Sequence, residues 1–146
     1  MLTEQEQQQI RHAVAASETV RAALPEALRI VQRRQGWVSD AQLDALAAFL
    51  AVTPEALEEV ATFYTMIHRR PVGRHVILLC TSVSCWIMGV NPLYAHLQGR
   101  LGITYGDTTA DGRFTLLPAV CLGACDRAPA MMVDDDLHGE LTPERL

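Results

Sequence analysis

The sequence predicts an α/β (α+β) protein in two parts, a helical subdomain over residues 1–70 and a layer of sheet and helix over residues 71–146. Three observations carry this. Before residue 71, apolar residues recur at helical spacing behind a series of N-capping signals. After it, short apolar runs rich in branched side chains alternate with turn-forming stretches. Between them "RRPVGRH", residues 69–75, holds a proline, a glycine and three arginines and reads as a linker. A length of 146 residues suits one domain with an added subdomain, and a hydrophobic content of 49% suffices for a packed core.

The helices follow in order. Thr3 and Glu6 make a capping box that opens a helix to about residue 16. Leu24, Ala27, Leu28 and Val31 sit at helical spacing, and Gly36 is placed to end that helix. Ser39 and Gln42 make a second box, ahead of Leu43, Leu46, Ala47 and Leu50. Thr53 with Pro54 starts a fourth helix carrying Leu57, Val60, Ala61 and Tyr64. Four amphipathic helices on short connections make a small bundle.

After the linker, "HVILLC" reads as a buried strand and Asn91-Pro92 starts a helix to about Leu101. "GDTTADGR" is turn-rich, "FTLLPAVC" is a second strand and "AMMVD" a third. "DDLHGE" suits a turn, with another short extended stretch after it. Thr142-Pro143-Glu144 opens a last helix, either rudimentary or cut short at Leu146. Strand, helix, strand, strand, helix suits a thioredoxin-like layer.

Composition narrows the function. The net charge is −5 and the chain has no lysine, which argues against a nucleic-acid partner. The polar, acidic start "MLTEQEQQQIRHAV" is no secretory signal, and runs such as "VILLC" are too short to span a bilayer. A soluble, cytoplasmic location is expected. No Gly-x-Gly-x-x-Gly pattern for a dinucleotide is present.

All four cysteines lie in "CTSVSC", residues 80–85, and "CLGAC", residues 121–125. In a cytoplasmic protein such pairs more often bind metal or do redox chemistry than form structural disulfides. Cys80 and Cys121 fall at the ends of two predicted strands, Cys85 and Cys125 in the loops that follow. Neighbouring strand ends lie roughly 5–10 Å apart, so four thiolates could meet there. Cys-x4-Cys is at the wide limit for zinc and Cys-x3-Cys is acceptable, so a structural zinc site stays open. A [2Fe–2S] cluster needs two thiolates at each iron, which wider loops suit. The loops are built of small residues, so backbone N–H groups can approach the sulfurs. Gly123, between Cys121 and Cys125, can take positive φ and aim its own or the next N–H inward; a valine there should strain the loop and crowd the site.

"CTSVSCWIMG", "GDTTADGRFTLLPAVCLGACDRAPAMMVDDD", "LTPERL" and "ATFYTMIHRRPVGRHVILLC" together resemble the small [2Fe–2S] subunits of bacterial NADH:quinone oxidoreductase, respiratory complex I. The motif Cys-x4-Cys…Cys-x3-Cys is complete. The resemblance implies a thioredoxin-like [2Fe–2S] ferredoxin domain behind helices that dock on a neighbour. It implies one cluster held by Cys80, Cys85, Cys121 and Cys125, exchanging single electrons with the FMN of an NADH-binding flavoprotein subunit. The large iron–sulfur subunit and the rest of the peripheral arm would follow, on the cytoplasmic side of the inner membrane. The isolated chain should have no dehydrogenase activity. Related subunits serve NAD-linked formate dehydrogenases and hydrogenases. Family members run somewhat further at the C-terminus.

Other residues carry blander readings. Trp86 either shields the cluster or is plain core. Met131 and Met132 fill core and interface. His12, His68, His75, His96 and His138 show no metal spacing. Asp134 to Asp136 read as a solvated turn, and Arg69, Arg70 and Arg74 as a solvated linker that could also face a partner. Pro129, just before "AMMVD", stands where thioredoxin-like folds commonly carry a cis-proline.

Overall fold

Each helix of the N-terminal half begins where a hydroxyl side chain can accept an orphaned backbone N–H. The computed structural model describes residues 1–146. Thr3 and Glu6 form the full capping box of α1 (Glu4–Ala15). Thr19 accepts from Ala22 N to open α2 (Val20–Gln32). Ser39 and Gln42 box the start of α3 (Asp40–Leu50), and Thr53 caps α4 (Pro54–Phe63) with Pro54 in its first turn. Each such cap contributes about 1 kcal/mol. Helix α2 starts ahead of the stretch that its apolar spacing marks and runs through Pro25. The missing N–H of Pro25 leaves only the carbonyl of Arg21 without its intrahelical partner, and Arg21 is exposed to water. Gly36 closes the turn after α2 at φ 84°, donating to Gln32 O at 2.7 Å.

The chain divides into two compact units, Met1–Pro71 and Val72–Leu146. The core of the first is built on Ile10, Leu24, Leu28, Val31, Leu46 and Leu57. Tyr64, expected on the buried face of the fourth helix, lies beyond its end in extended backbone and is exposed. Ile67 is the next residue to enter the core. Arg69 is no solvated linker residue. Its guanidinium bonds Glu58 Oε2 at 2.6 Å, Asp40 Oδ1 at 2.7 Å and the carbonyl of Val38.

The second unit is a four-stranded sheet in the order β2-β1-β3-β4. Its strands are β1 (His75–Cys80), β2 (Phe114–Ala119), β3 (Met131–Val133) and β4 (Asp136–His138). β2 runs parallel to β1, with Cys80 opposite Ala119; β3 is antiparallel to β1, and β4 to β3. Parallel neighbours need a long crossover, and it contains α5 (Val83–Ile87) and α6 (Val90–Leu101). Ile77, Leu79, Leu93, Leu97 and Leu116 form the core, which includes Cys80 and Cys85.

Three local expectations are corrected. "DDLHGE" is not all turn: β4 begins at Asp136 within it, because pairing with β3 extends a stretch that has no strand signal of its own. Asp134 is not merely a solvated turn residue. At φ 54° its carboxylate accepts from Val76 N at 2.9 Å and meets His75 Nδ1 at 2.7 Å. Cys85 lies in the short helix α5 rather than in a loop. The Thr142–Glu144 start yields only a 3-10 turn, Pro143–Arg145.

Candidate iron–sulfur centre

The sheet brings the two cysteine pairs to one end. β1 delivers Cys80, whose N–H donates to Ala130 O at 3.1 Å, and Thr81 N then donates to Ala119 O at 2.8 Å. The chain is thus tied to the segments on both sides as it leaves the strand. α5 follows at once and turns Cys85 inward, 2% exposed like Cys80. Ser84 is half-buried, whereas Val83, Trp86 and Ile87, with Met88 after them, are exposed. Trp86, at 61% exposure, is therefore not core.

The second pair is arranged differently. The β1–β2 ladder stops at Ala119, so Cys121 does not end the strand as its sequence suggests but lies two residues beyond it. Cys121 and Cys125 are exposed, and Cys125 opens a 3-10 turn, Cys125–Arg127. Between them Gly123 takes φ 74° and aims its own N–H at Cys121 Sγ, 3.4 Å away. The Ala128–Pro129 bond behind the turn is cis. Met131 is core and Met132 is half-buried.

Cys121 Sγ and Cys125 Sγ are 3.7 Å apart. Two thiolates on one tetrahedral metal, at metal–sulfur distances near 2.3 Å, stand about 3.8 Å apart. This spacing therefore fits a shared metal. Cys80 interacts directly with Cys85, and the charge of Cys125 is felt by Cys85. Cys125 also interacts with Cys80, so the exposed pair stands beside the buried one. The layout is two adjacent pairs.

The electrostatics differ between pairs. Burial, then the neighbouring Cys80, pushes the Cys85 thiol up to about 11, opposed by a hydrogen bond with the backbone of Ala130. At the exposed pair the N–H of Gly123, then Cys125, lowers Cys121. Cys125 is raised, first by its bond to Cys121 and then by that neighbour's charge. The N–H of Gly123 is thus the group that favours the thiolate at this pair. Thiolate ligands need such donors, since metal binding displaces the protons.

Residues 10–146 match the thioredoxin-like [2Fe–2S] ferredoxins. The chain belongs to that family. Among its relatives in this ferredoxin family is the E subunit of the NADH-quinone oxidoreductase of Pseudomonas aeruginosa, 49% identical over 144 residues, covering 99% of this chain and 87% of the relative. The corresponding E subunit of Escherichia coli strain K12 is 50% identical over 145 residues, with the same coverage. A solved NAD+-reducing [NiFe]-hydrogenase in the H2-reduced state contains a similar fold, with TM-score 0.69 and 26% identity. That match covers 84% of this chain but only 20% of the hydrogenase chain. Membership makes this ferredoxin-type chain an electron-transfer subunit of an oxidoreductase complex, with one [2Fe–2S] cluster as its cofactor.

The sequence pointed to the four cysteines and to Gly123. It held no sign of the difference in burial between the pairs or of the outward apolar face of α5. Hydrophobic periodicity over a five-residue helix is too short to read.

Proposed function

We propose that Cys80 and Cys85 hold one iron of the [2Fe–2S] cluster and Cys121 and Cys125 the other. The observation that carries this is the 3.7 Å separation of the Cys121 and Cys125 sulfurs beside a second, buried pair. A [2Fe–2S] cluster takes two thiolates at each iron, and membership of the [2Fe–2S] ferredoxin family supports two irons over a single zinc. When bound, the cluster supplies one-electron exchange. The protein supplies the thiolates, the N–H groups of Gly123 and Ala130 directed at them, and a buried wall on the Cys80–Cys85 side. Analysis of iron and acid-labile sulfide, with the visible spectrum, tests the cofactor assignment. Single serine variants of the four cysteines test the ligands: each should lower cluster content or alter the EPR signal of the reduced centre. An unchanged signal from any one removes that cysteine from the set.

The electron partner in this proposal is the FMN of an NADH-binding flavoprotein subunit, with the large iron–sulfur subunit and the peripheral arm beyond it. High coverage of the E subunits supports this setting over a hydrogenase one. Val83, Trp86, Ile87, Met88 and Val120 form exposed apolar surface on the segments that carry the cysteines, and a redox partner would dry it on docking. No helix is long and apolar enough to cross a membrane. The proposed place is the cytoplasmic side of the inner membrane, held through the complex. The chain has no dinucleotide fingerprint, so NADH oxidation belongs to the partner. The helical unit, which contains no cysteine, is assigned to docking. Co-purification with identification of bound subunits tests the setting, and a fragment of residues 72–146 tests the docking role. That fragment should keep the cluster and bind the flavoprotein poorly; unimpaired binding removes the role.

A further inference from the structure

We infer that the backbone N–H of Gly123 is a redox-tuning donor, fixed on Cys121 Sγ by the left-handed conformation that glycine permits. The inference rests on the assignment of Cys121 as a ligand. The donor lies 3.4 Å from the sulfur, within the looser range that sulfur acceptors allow. Reduction adds negative charge to the centre, and the thiolate sulfurs share it. A hydrogen bond to the more negative state favours that state and raises the potential.

The two donors at this centre are held in different ways. Ala130, which faces Cys85, is locked by its place beside the sheet, where its carbonyl accepts from Cys80 N at 3.1 Å. Gly123 has no such tie and depends on its own backbone. Its φ is 74°, and an added Cβ would meet no protein atom within 4 Å. Space for a Cβ is therefore not the constraint. Conformation is the constraint. An L-residue there costs about 1–2 kcal/mol, whereas asparagine tolerates the left-handed region better. Both loop ends are pinned as ligands. A residue that rejects positive φ must relieve itself by rotating the 122–123 peptide, which swings the N–H off the sulfur.

A loop glycine that only makes a turn predicts something else. Its replacement would lower stability or cluster retention but leave the potential alone. The test uses the full chain with its cluster: wild type, Gly123→Ala, Gly123→Val and Gly123→Asn. Iron and sulfide content is measured first, then an EPR-monitored redox titration. In Gly123→Ala and Gly123→Val the reduced-to-oxidised ratio at a fixed potential should fall several-fold, up to about tenfold, which for one electron is ~59 mV. Gly123→Asn should titrate with wild type. Full clusters at the wild-type potential in both Ala and Val overturn the inference. Should both lose the cluster, wild type labelled with [15N]glycine decides by pulsed EPR of the reduced centre. A 15N coupling supports the inference and its absence overturns it. Failure of the ligand assignment would show separately, as a Cys121→Ser variant with wild-type cluster content and EPR signal.

Discussion

Asp134 carries two roles that its place in a run of three aspartates conceals. Its φ of 54° turns the chain between β3 and β4, and its carboxylate ties that turn back to the start of β1 through Val76 N and His75. Burial alone would raise this carboxyl, but the hydrogen bonds from His75 and Val76 outweigh it and hold the group below its ordinary value. A depressed carboxyl stabilises the fold above its unfolded pKa of about 3.9 and loses that contribution as pH falls through the lower folded value. Urea unfolding of the cluster-free chain, followed from pH 7 to pH 3, should therefore weaken more steeply below about pH 4 in wild type than in Asp134→Asn. Equal slopes would remove the linkage. At pH 7 Asp134→Ala should lose about 1–2 kcal/mol, from the missing bond to Val76 and the poorer tolerance of positive φ. The sequence displayed Asp134 only as an acid in a turn. Its partner His75 is distant in the chain, and no local pattern connects them. Cys80, Cys85, Cys121 and Cys125 were legible because their spacing is itself the signal. Their burial was not, because it depends on where the β1–β2 ladder stops.

Helices α1, α3 and α4 were the most legible elements, since a capping residue opens each; α2 was read from apolar spacing alone, and its cap at Thr19 was missed. α5 and β4 were the least. α5 has no side-chain hydrogen bond at its cap, and β4 is three exposed residues held only by pairing with β3. Contacts between elements also give common residues uncommon work. Arg69, with a side chain only 17% exposed, joins the start of α3 to α4 through Asp40 and Glu58 while bonding the carbonyl of Val38. Arg69→Ala should lower the stability of the helical unit by about 1–3 kcal/mol. Arg69→Lys should recover little, because one ammonium cannot match the guanidinium fork. Full recovery in denaturant unfolding would make Arg69 a simple charge. Gly139, past the end of β4, lies flush against the turn that carries Cys125. A Cβ there would come within 2.7 Å of Arg127 Cβ and 2.8 Å of Arg127 O. That carbonyl also accepts from Glu140 N at 2.6 Å, so it has little room to yield. Gly139→Ala should lower stability by about 1–3 kcal/mol and reduce iron per chain by displacing the Cys125–Arg127 turn. Wild-type iron content together with wild-type stability would mean the turn can move without consequence.

At the scale of the whole molecule, two separate cores coexist with one cofactor. The helical unit closes on Ile10, Leu28, Val31 and Leu57 without a cysteine. The second unit counts Cys80 and Cys85 among its own core residues and places Cys121 and Cys125 on the exposed connection beyond β2. Metal binding to a folded site adds to the folding free energy of the segment that supplies the ligands. It adds nothing to a unit that supplies none. Removing the cluster should therefore loosen Val72–Leu146 and leave Met1–Pro71 unchanged. Hydrogen exchange on cluster-containing and chelator-stripped chains reads this directly. Protection should fall in β1, α5 and the 121–133 segment, with the sheet less affected than the loops because its ladder survives. α1 to α4 should exchange at the same rates in both samples. Equal loosening of both units would show that the helical core draws on the cluster for its stability, and the division into a docking unit and a redox unit would then fail.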